Sequence, residues 1–287
     1  MANHELVNSR RKPAWLKVKT PIGSSYGEVY KLFKHKHVNT ICVSGKCPNL
    51  GECWGNKTAT FMILGNTCTR SCKFCNVNTG RGETPDSEEP VNIAQTVQEL
   101  NIKHVVLTSV DRDDLEDLGA SHWVEVIREI KKQNPKVSME ALIPDFQGKP
   151  ELIQKIIDTG IEVISHNLET TREITPKVRS KASYNQSLEV VRQIAQSPSK
   201  AKSGIMVGIG ETDEQIYETM DDLLAAGCEI MTIGQYLQPA AHNIEVHRYV
   251  TPGKFKEYEQ TGLKKGFRHV ESAPLVRSSY HAHKHIQ

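Results

Sequence analysis

Six of the seven cysteines in this 287-residue sequence fall between positions 42 and 75, in two sets of three. Cys42, Cys47 and Cys53 make C-x4-C-x5-C, and Cys68, Cys72 and Cys75 make C-x3-C-x2-C. The second spacing is neither that of a zinc ribbon, with its two separated C-x2-C pairs, nor that of a four-cysteine ferredoxin run. Clustered thiols in a reducing compartment point to metal rather than to crosslinks. Three thiolates at the second spacing can hold three corners of a 4Fe–4S cube. The fourth iron then lacks a protein ligand, and an open metal position marks chemistry.

Such thiols need a scaffold, and the rest of the chain supplies an alternating pattern. Apolar runs at 61–65, 104–110, 137–143, 163–169, 203–209 and 230–236 read as buried strands. Helical patterns lie between them, with Thr212 as an expected N-cap and Gly160 and Gly227 as expected C-caps. Six strands alternating with helices predict an α/β fold of parallel β/α units. Six units fit an open, partial β/α barrel and fit a doubly wound sheet equally well. Either architecture places catalytic groups at the carboxyl ends of the strands. The second cysteine set follows the first strand directly. Thr108, Ser109 and Asp111, then Asn167 and Glu169, then Gly208 and Glu211, then Gln235 fall at later strand ends. The expected division is an N-terminal extension over 1–57, the β/α region over 58–250 and a C-terminal extension over 251–287.

The bulk numbers exclude several classes. The composition is 38% hydrophobic and 24% charged with a net charge of +2, so no polyanion such as nucleic acid is implied. No apolar run approaches the roughly 20 residues of a membrane span, and no signal-peptide core is present, so a cytoplasmic protein is the expectation. Residues 1–40 carry eight Lys/Arg against Glu5 and Glu28, either a solvated basic surface or a docking face for an acidic partner. The twelve histidines show no H-E-x-x-H spacing, "HAHKH" reads as a frayed tail, and "GIGETDE" lacks the Lys-Ser/Thr ending of a P-loop. Cys228 reads as a packed, unliganded thiol. The run "DRDDLED" from Asp111 to Asp117 is either a solvated helix start or functional.

The motif "CTRSCKFC" after a first strand resembles the signature of the radical S-adenosylmethionine (SAM) superfamily. In that family the open iron chelates the amino and carboxylate groups of SAM, and the aromatic before the last cysteine, here Phe74, neighbours the adenine. With "CPNLGECW", "LTSVDRDDL", "HNLETT", "MVGIGET", "TIGQYLQP" and "PLVRSSYHA", the chain closely resembles the lipoyl synthase family over nearly its whole length. The resemblance implies a partial barrel and a second, auxiliary 4Fe–4S cluster on Cys42, Cys47 and Cys53. Its fourth ligand would be a serine of Arg277-Ser278-Ser279-Tyr280: Ser279, with Ser278 the fallback. Thr108 and Ser109 match the region holding the methionine amino group. Asn167, Glu169 and Arg179 match contacts to ribose and carboxylate, and Gly204 to Gly210 the strand near the adenine. Two departures stand out: Leu118-Gly119 where a Gly-Gly pair is usual, and "VRSKASY" where Arg-Pro-Gly is common.

The implied reaction inserts two sulfur atoms at C6 and C8 of a protein-bound octanoyl-lysine, with the auxiliary cluster as sulfur donor. Those carbons have no nearby carbonyl to acidify their hydrogens, so acid–base catalysis has no foothold and a radical route is required. The implied partners are octanoylated lipoyl carrier domains (the 2-oxoacid dehydrogenase acyltransferase subunit and the glycine cleavage H protein), a reductant such as flavodoxin or ferredoxin, and an iron–sulfur carrier protein. A biotin synthase-like sulfur-inserting enzyme and a non-enzymatic zinc or iron–sulfur scaffold are the rival readings.

Overall fold

In the computed structural model, which describes residues 12–18, 24–55, 58–280 and 282, short buried strands alternate with amphipathic helices. The strands are β1 (Thr60–Ile63), β2 (Thr67–Cys68), β3 (Asn78–Thr79), β4 (His104–Ser109), β5 (Ser138–Leu142), β6 (Val163–Ser165), β7 (Lys200–Val207), β8 (Ile230–Gln235) and β9 (His269–Ala273). The helices are α1 (Ser24–His35), α2 (Ile41–Ser44), α3 (Leu50–Gly55), α4 (Glu89–Glu99), α5 (Ala120–Gln133), α6 (Pro150–Ile157), α7 (Thr175–Val178), α8 (Tyr184–Ala195), α9 (Asp213–Ala225) and α10 (Pro252–Lys265).

Helix α5 shows why these segments fold as they do. Its buried residues Ala120, Trp123, Val126, Ile127 and Ile130 recur every three or four positions, giving one apolar stripe against the sheet. Thr212 caps α9 through a reciprocal capping box with Gln215, as its position predicts. Gly227, just past the end of α9, has a φ of 84°.

Seven strands form one sheet in the order β1-β4-β5-β6-β7-β8-β9, every pairing parallel. Spatial order therefore equals chain order. A doubly wound sheet reverses its order at a switch point; this one does not, so of the two candidate architectures the partial barrel is the one observed. The sheet has one more strand than expected. The extra strand, β9, lies in the C-terminal extension and pairs with β8, Gly234 opposite Ala273. Strand β6 stops at Ser165 rather than running to 169, and only an isolated bridge from Glu169 to Ile205 continues it.

The N-terminal flank packs on the same core. Phe33 of α1 meets Trp54 and Phe61 at ring-centroid distances of 5.5 and 5.4 Å. The two flanks also touch each other, Asn49 Nδ2 donating to the Leu275 carbonyl at 2.7 Å.

Candidate active site

The first cysteine set sits on two short helices fastened to β1. Cys42 lies in the first turn of α2, capped by Thr40, whose hydroxyl accepts from the Cys42 N–H at 3.1 Å and donates to the Thr60 carbonyl at 2.8 Å. Cys47 follows the helix, its N–H bonded to the Cys42 carbonyl, and Cys53 lies within α3. The three thiols are neighbours: burial, reinforced by Cys42 and Cys47, pushes Cys53 up to about 12. Burial and Cys42 likewise raise Cys47, against the opposing pull of the Arg277 guanidinium beside it.

The second set lies on the loop leaving β1. Cys68 is in β2, and Cys72 and Cys75 form a turn closed by the Cys75 N–H on the Cys72 carbonyl at 3.0 Å. The N–H groups of Arg70 and Asp111 point at Cys68 Sγ at 3.4 and 3.3 Å, and that of Val77 at Cys75 Sγ at 3.5 Å. Such donors tune cluster sulfurs. Burial raises Cys68 to about 12 and Cys72 to about 11, so a bound cation is what would hold them as thiolates.

One guanidinium anchors this loop. Arg70, between Cys68 and Cys72, donates to Asp113 at 2.9 and 2.8 Å and to Asp145 at 2.9 and 2.8 Å. Its hydrogen bonds hold the Asp113 carboxyl far below the usual carboxylate range. Burial pulls Asp145 up, but Arg70 outweighs it and leaves that group low too. From the far side, Asn243 Nδ2 donates to the carbonyls of Lys73 and Cys75 at 3.2 and 2.8 Å.

Cys42 and Cys47 of the first set and Cys75 of the second border one cavity of about 280 Å³ at the barrel mouth. Phe74 and Cys75 bound one part of its wall, and Cys42, Cys47, Arg277, Ser278 and Ser279 another. Thr108, Asn167, Glu169 and Gly204 lie in the wall too. The volume is close to the low end of small-molecule pockets, which begin at about 300 Å³. A second cavity of about 750 Å³ adjoins it and contains Cys42, Cys47, Cys53 and Ser279.

The residues fit iron–sulfur clusters and SAM. Thiols of both trios border the cavity, one set served by amide donors and the other by the half-buried Arg277 guanidinium. Among the described residues, Asn167 Oδ1 and Arg179 Nε are buried without a hydrogen-bond partner, as groups reserved for a polar ligand would be. Gly204 leaves room for close approach: a Cβ there would meet Thr232 Oγ1 at 2.3 Å and Asn167 Oδ1 at 3.1 Å. Burial pushes the Glu169 carboxyl up, and Arg179 opposes this.

Not every expected residue arrives. Ser109 faces away from the cavity because consecutive residues of β4 point to opposite faces, and its hydroxyl accepts from Trp123 Nε1 at 3.2 Å. Glu211 accepts the N–H groups of Gly208 and Ile209, and Gln235 bonds four backbone groups, so both brace strand ends. Arg179 reaches the region through the Leu168 carbonyl and Ser187 Oγ. The acidic run divides: Asp111 and Asp113 serve the cysteine loop, and Asp114 pairs with Arg112. Cys228 is packed as expected, its Sγ 3.3 Å from the Ile230 carbonyl. Of the basic N-terminus, Lys12 and Lys17 are exposed, while Arg10 and Arg11 lie outside the described residues, as does "HAHKH" except Ala282. Among the described residues no helix is long and apolar enough to cross a membrane.

The profile of the Radical SAM superfamily matches residues 62–223. Methylornithine synthase shares the fold, with a TM-score of 0.56 at 15% identity, covering 90% of this chain and 81% of that one. Partial barrel, cysteine loop and cavity together define a radical SAM protein. Two curated relatives narrow this. The lipoyl synthase of Phocaeicola vulgatus is 58% identical over 98% of this chain and 99% of its own length. That of Treponema denticola is 60% identical over 97% and 96%. The chain belongs to the lipoyl synthase family.

Proposed function

We infer that the protein inserts two sulfur atoms at C6 and C8 of an octanoyl-lysine carried by a lipoyl carrier domain. When bound, the SAM-ligated cluster supplies a 5′-deoxyadenosyl radical able to take an unactivated hydrogen, and the auxiliary cluster supplies sulfur. Everything else is the work of the chain. Cys68, Cys72 and Cys75 hold the first cluster on a loop pinned by Arg70. Cys42, Cys47, Cys53 and Ser279 hold the second. Phe74, Thr108, Asn167, Glu169 and Arg179 bind and orient SAM. Ser109 is left out of this set because its side chain turns to the helix layer. The barrel wall excludes water and aligns the octanoyl carbon between the two groups.

The observation that carries this reading is the shared cavity, bordered by Cys75 of one trio and by Cys42 and Cys47 of the other. Ser279 is favoured over Ser278 as the oxygen ligand because it lines both cavities beside the first trio. An acyltransferase subunit or a glycine cleavage H protein would present the substrate. Flavodoxin or ferredoxin would deliver electrons, and an iron–sulfur carrier would rebuild the spent cluster. A cytoplasmic setting suits all of these.

The test is anaerobic incubation with SAM, dithionite and an octanoyl-lysine peptide, read by mass spectrometry. The expected product carries two added sulfurs, with 5′-deoxyadenosine released. Methionine and 5′-deoxyadenosine without any sulfur-bearing peptide would overturn the reading.

A further inference from the structure

Below the cavity, two oppositely charged side chains lie entirely buried. Glu140 on β5 and Lys202 on β7 are both at 0% exposure. Strand alternation puts them on the same face as Leu142 and Gly204, which line the cavity, one step nearer the strands' amino ends. They therefore form its floor. Lys202 Nζ donates to Glu140 Oε1 and Oε2, each at 2.7 Å, and the Ser165 hydroxyl donates to Oε1 at 3.1 Å. An ammonium has three donors. The third goes to the Ser278 carbonyl at 2.6 Å, 76 residues along the chain.

That third bond sets this pair apart. A buried ion pair can commonly be exchanged for apolar residues of similar volume with little loss of stability, so filling the barrel does not require one. Apolar residues have no donor for a carbonyl. Other contacts converge on the same segment. Asn167 Nδ2 donates to Ser278 Oγ at 2.7 Å, so the carbonyl and hydroxyl of Ser278 are both engaged from the lumen. On β8, Gly234 lets the tail lie flat, since a Cβ there would meet the Val276 carbonyl at 2.1 Å. With Ser278 held in this way, Ser279 lines both cavities alongside Cys42 and Cys47.

We propose that Lys202 and Glu140 are a positioning pair for the C-terminal segment, seating the Ser278 carbonyl in the barrel so that Ser279 is the serine presented to the first cysteine trio. This rests on the reading of that trio and Ser279 as the auxiliary-cluster ligands. The pair thus acts on the oxygen ligand from inside the barrel, while the ligand's own neighbours come from the two flanks.

The test compares the wild-type chain with the double variant Lys202→Met/Glu140→Leu, which removes both charges at once and leaves no unpaired one behind. Lys202→Arg, which keeps a donor, serves as the conservative control. Amide exchange of residues 275–280 is followed by mass spectrometry in each, beside iron content after anaerobic loading and the Tm. The expected result is exchange of that segment at least tenfold faster in the double variant, with β4–β6 protection and Tm unchanged. Iron should fall by about half, the EPR signal of the SAM-binding cluster persisting, and Lys202→Arg should recover part of the protection. Unchanged tail exchange would overturn the proposal, and so would a loss of protection spread evenly through the barrel. The reading beneath it fails separately, if the wild-type protein itself loads only one cluster; tail exchange still judges the pair in that event.

Discussion

At the scale of single residues, the barrel mouth keeps one ring neutral that water would often charge. His166 is buried, its Nδ1 at 2.9 Å from the Ile143 carbonyl and its Nε2 at 3.0 Å from Ser187 Oγ. Burial, reinforced by the Arg179 charge, lowers it from its usual 6.5 to about 4. A histidine whose folded value lies below its unfolded one stabilises fully above about 6.5, and that contribution drains away as pH falls toward about 4. The gap corresponds to at most about 3 kcal/mol. Thermal melts of the wild-type chain should therefore lose Tm between pH 7 and pH 4.5 more steeply than those of His166→Gln, which has no ring to protonate. Parallel curves would refute this role. The grouping of the thiols was legible because their spacing is local and few other uses suit six clustered cysteines. Ser109 was not, although the signal existed: beside Thr108 on one strand, only one of the two hydroxyls can face the lumen. Arg70, Glu140 and Lys202 were missed because each draws its meaning from partners more than forty positions away. Their one sequence trace was a charge within a motif (Arg70), within an apolar run (Glu140) or just before one (Lys202).

At the scale of elements, strand β7 carries much of the design. Lys202, Gly204 and Met206 fall on its lumen face, one as floor and two as wall. Gly204→Ala would force its new methyl against Thr232 Oγ1 and Asn167 Oδ1. SAM affinity should drop at least about tenfold, near 1.4 kcal/mol, by isothermal titration on the anaerobically loaded protein, while iron content stays at the wild-type level. Unaltered affinity would remove Gly204 from the binding wall. Strands β1 and β4 to β8 were readable because buried parallel strands are continuous apolar runs. Strand β9, "HVESA", was hidden: it pairs on one side only, is mostly half-exposed, and carries His269 and Glu271 where an interior strand would be apolar. Strand β6 looked longer than it is because Leu168 lies just beyond it, although His166 and Asn167 between them are polar. There the chain leaves the ladder, and Glu169 takes a φ of 67° on the way into the cavity wall.

At the scale of the whole molecule, the two flanks meet over one barrel mouth. The N-terminal flank brings the first cysteine trio, the C-terminal flank brings the serines, and Asn49–Leu275 and Glu52–Tyr280 tie the flanks together. Both flanks contribute to the barrel mouth, because the trio they bring borders the cavity that Phe74 and Cys75 also border. That closure was only partly legible. The motifs named the partners, but which serine turns toward the thiols depends on a lysine in the lumen. The most direct measurement of this arrangement is iron-edge anomalous diffraction from crystals of the anaerobically loaded protein. The account predicts two groups of about four iron peaks, one against Cys68, Cys72 and Cys75, the other against Cys42, Cys47, Cys53 and Ser279, with the cavity between them. A single group, or two groups facing separate regions of the molecule, would contradict it.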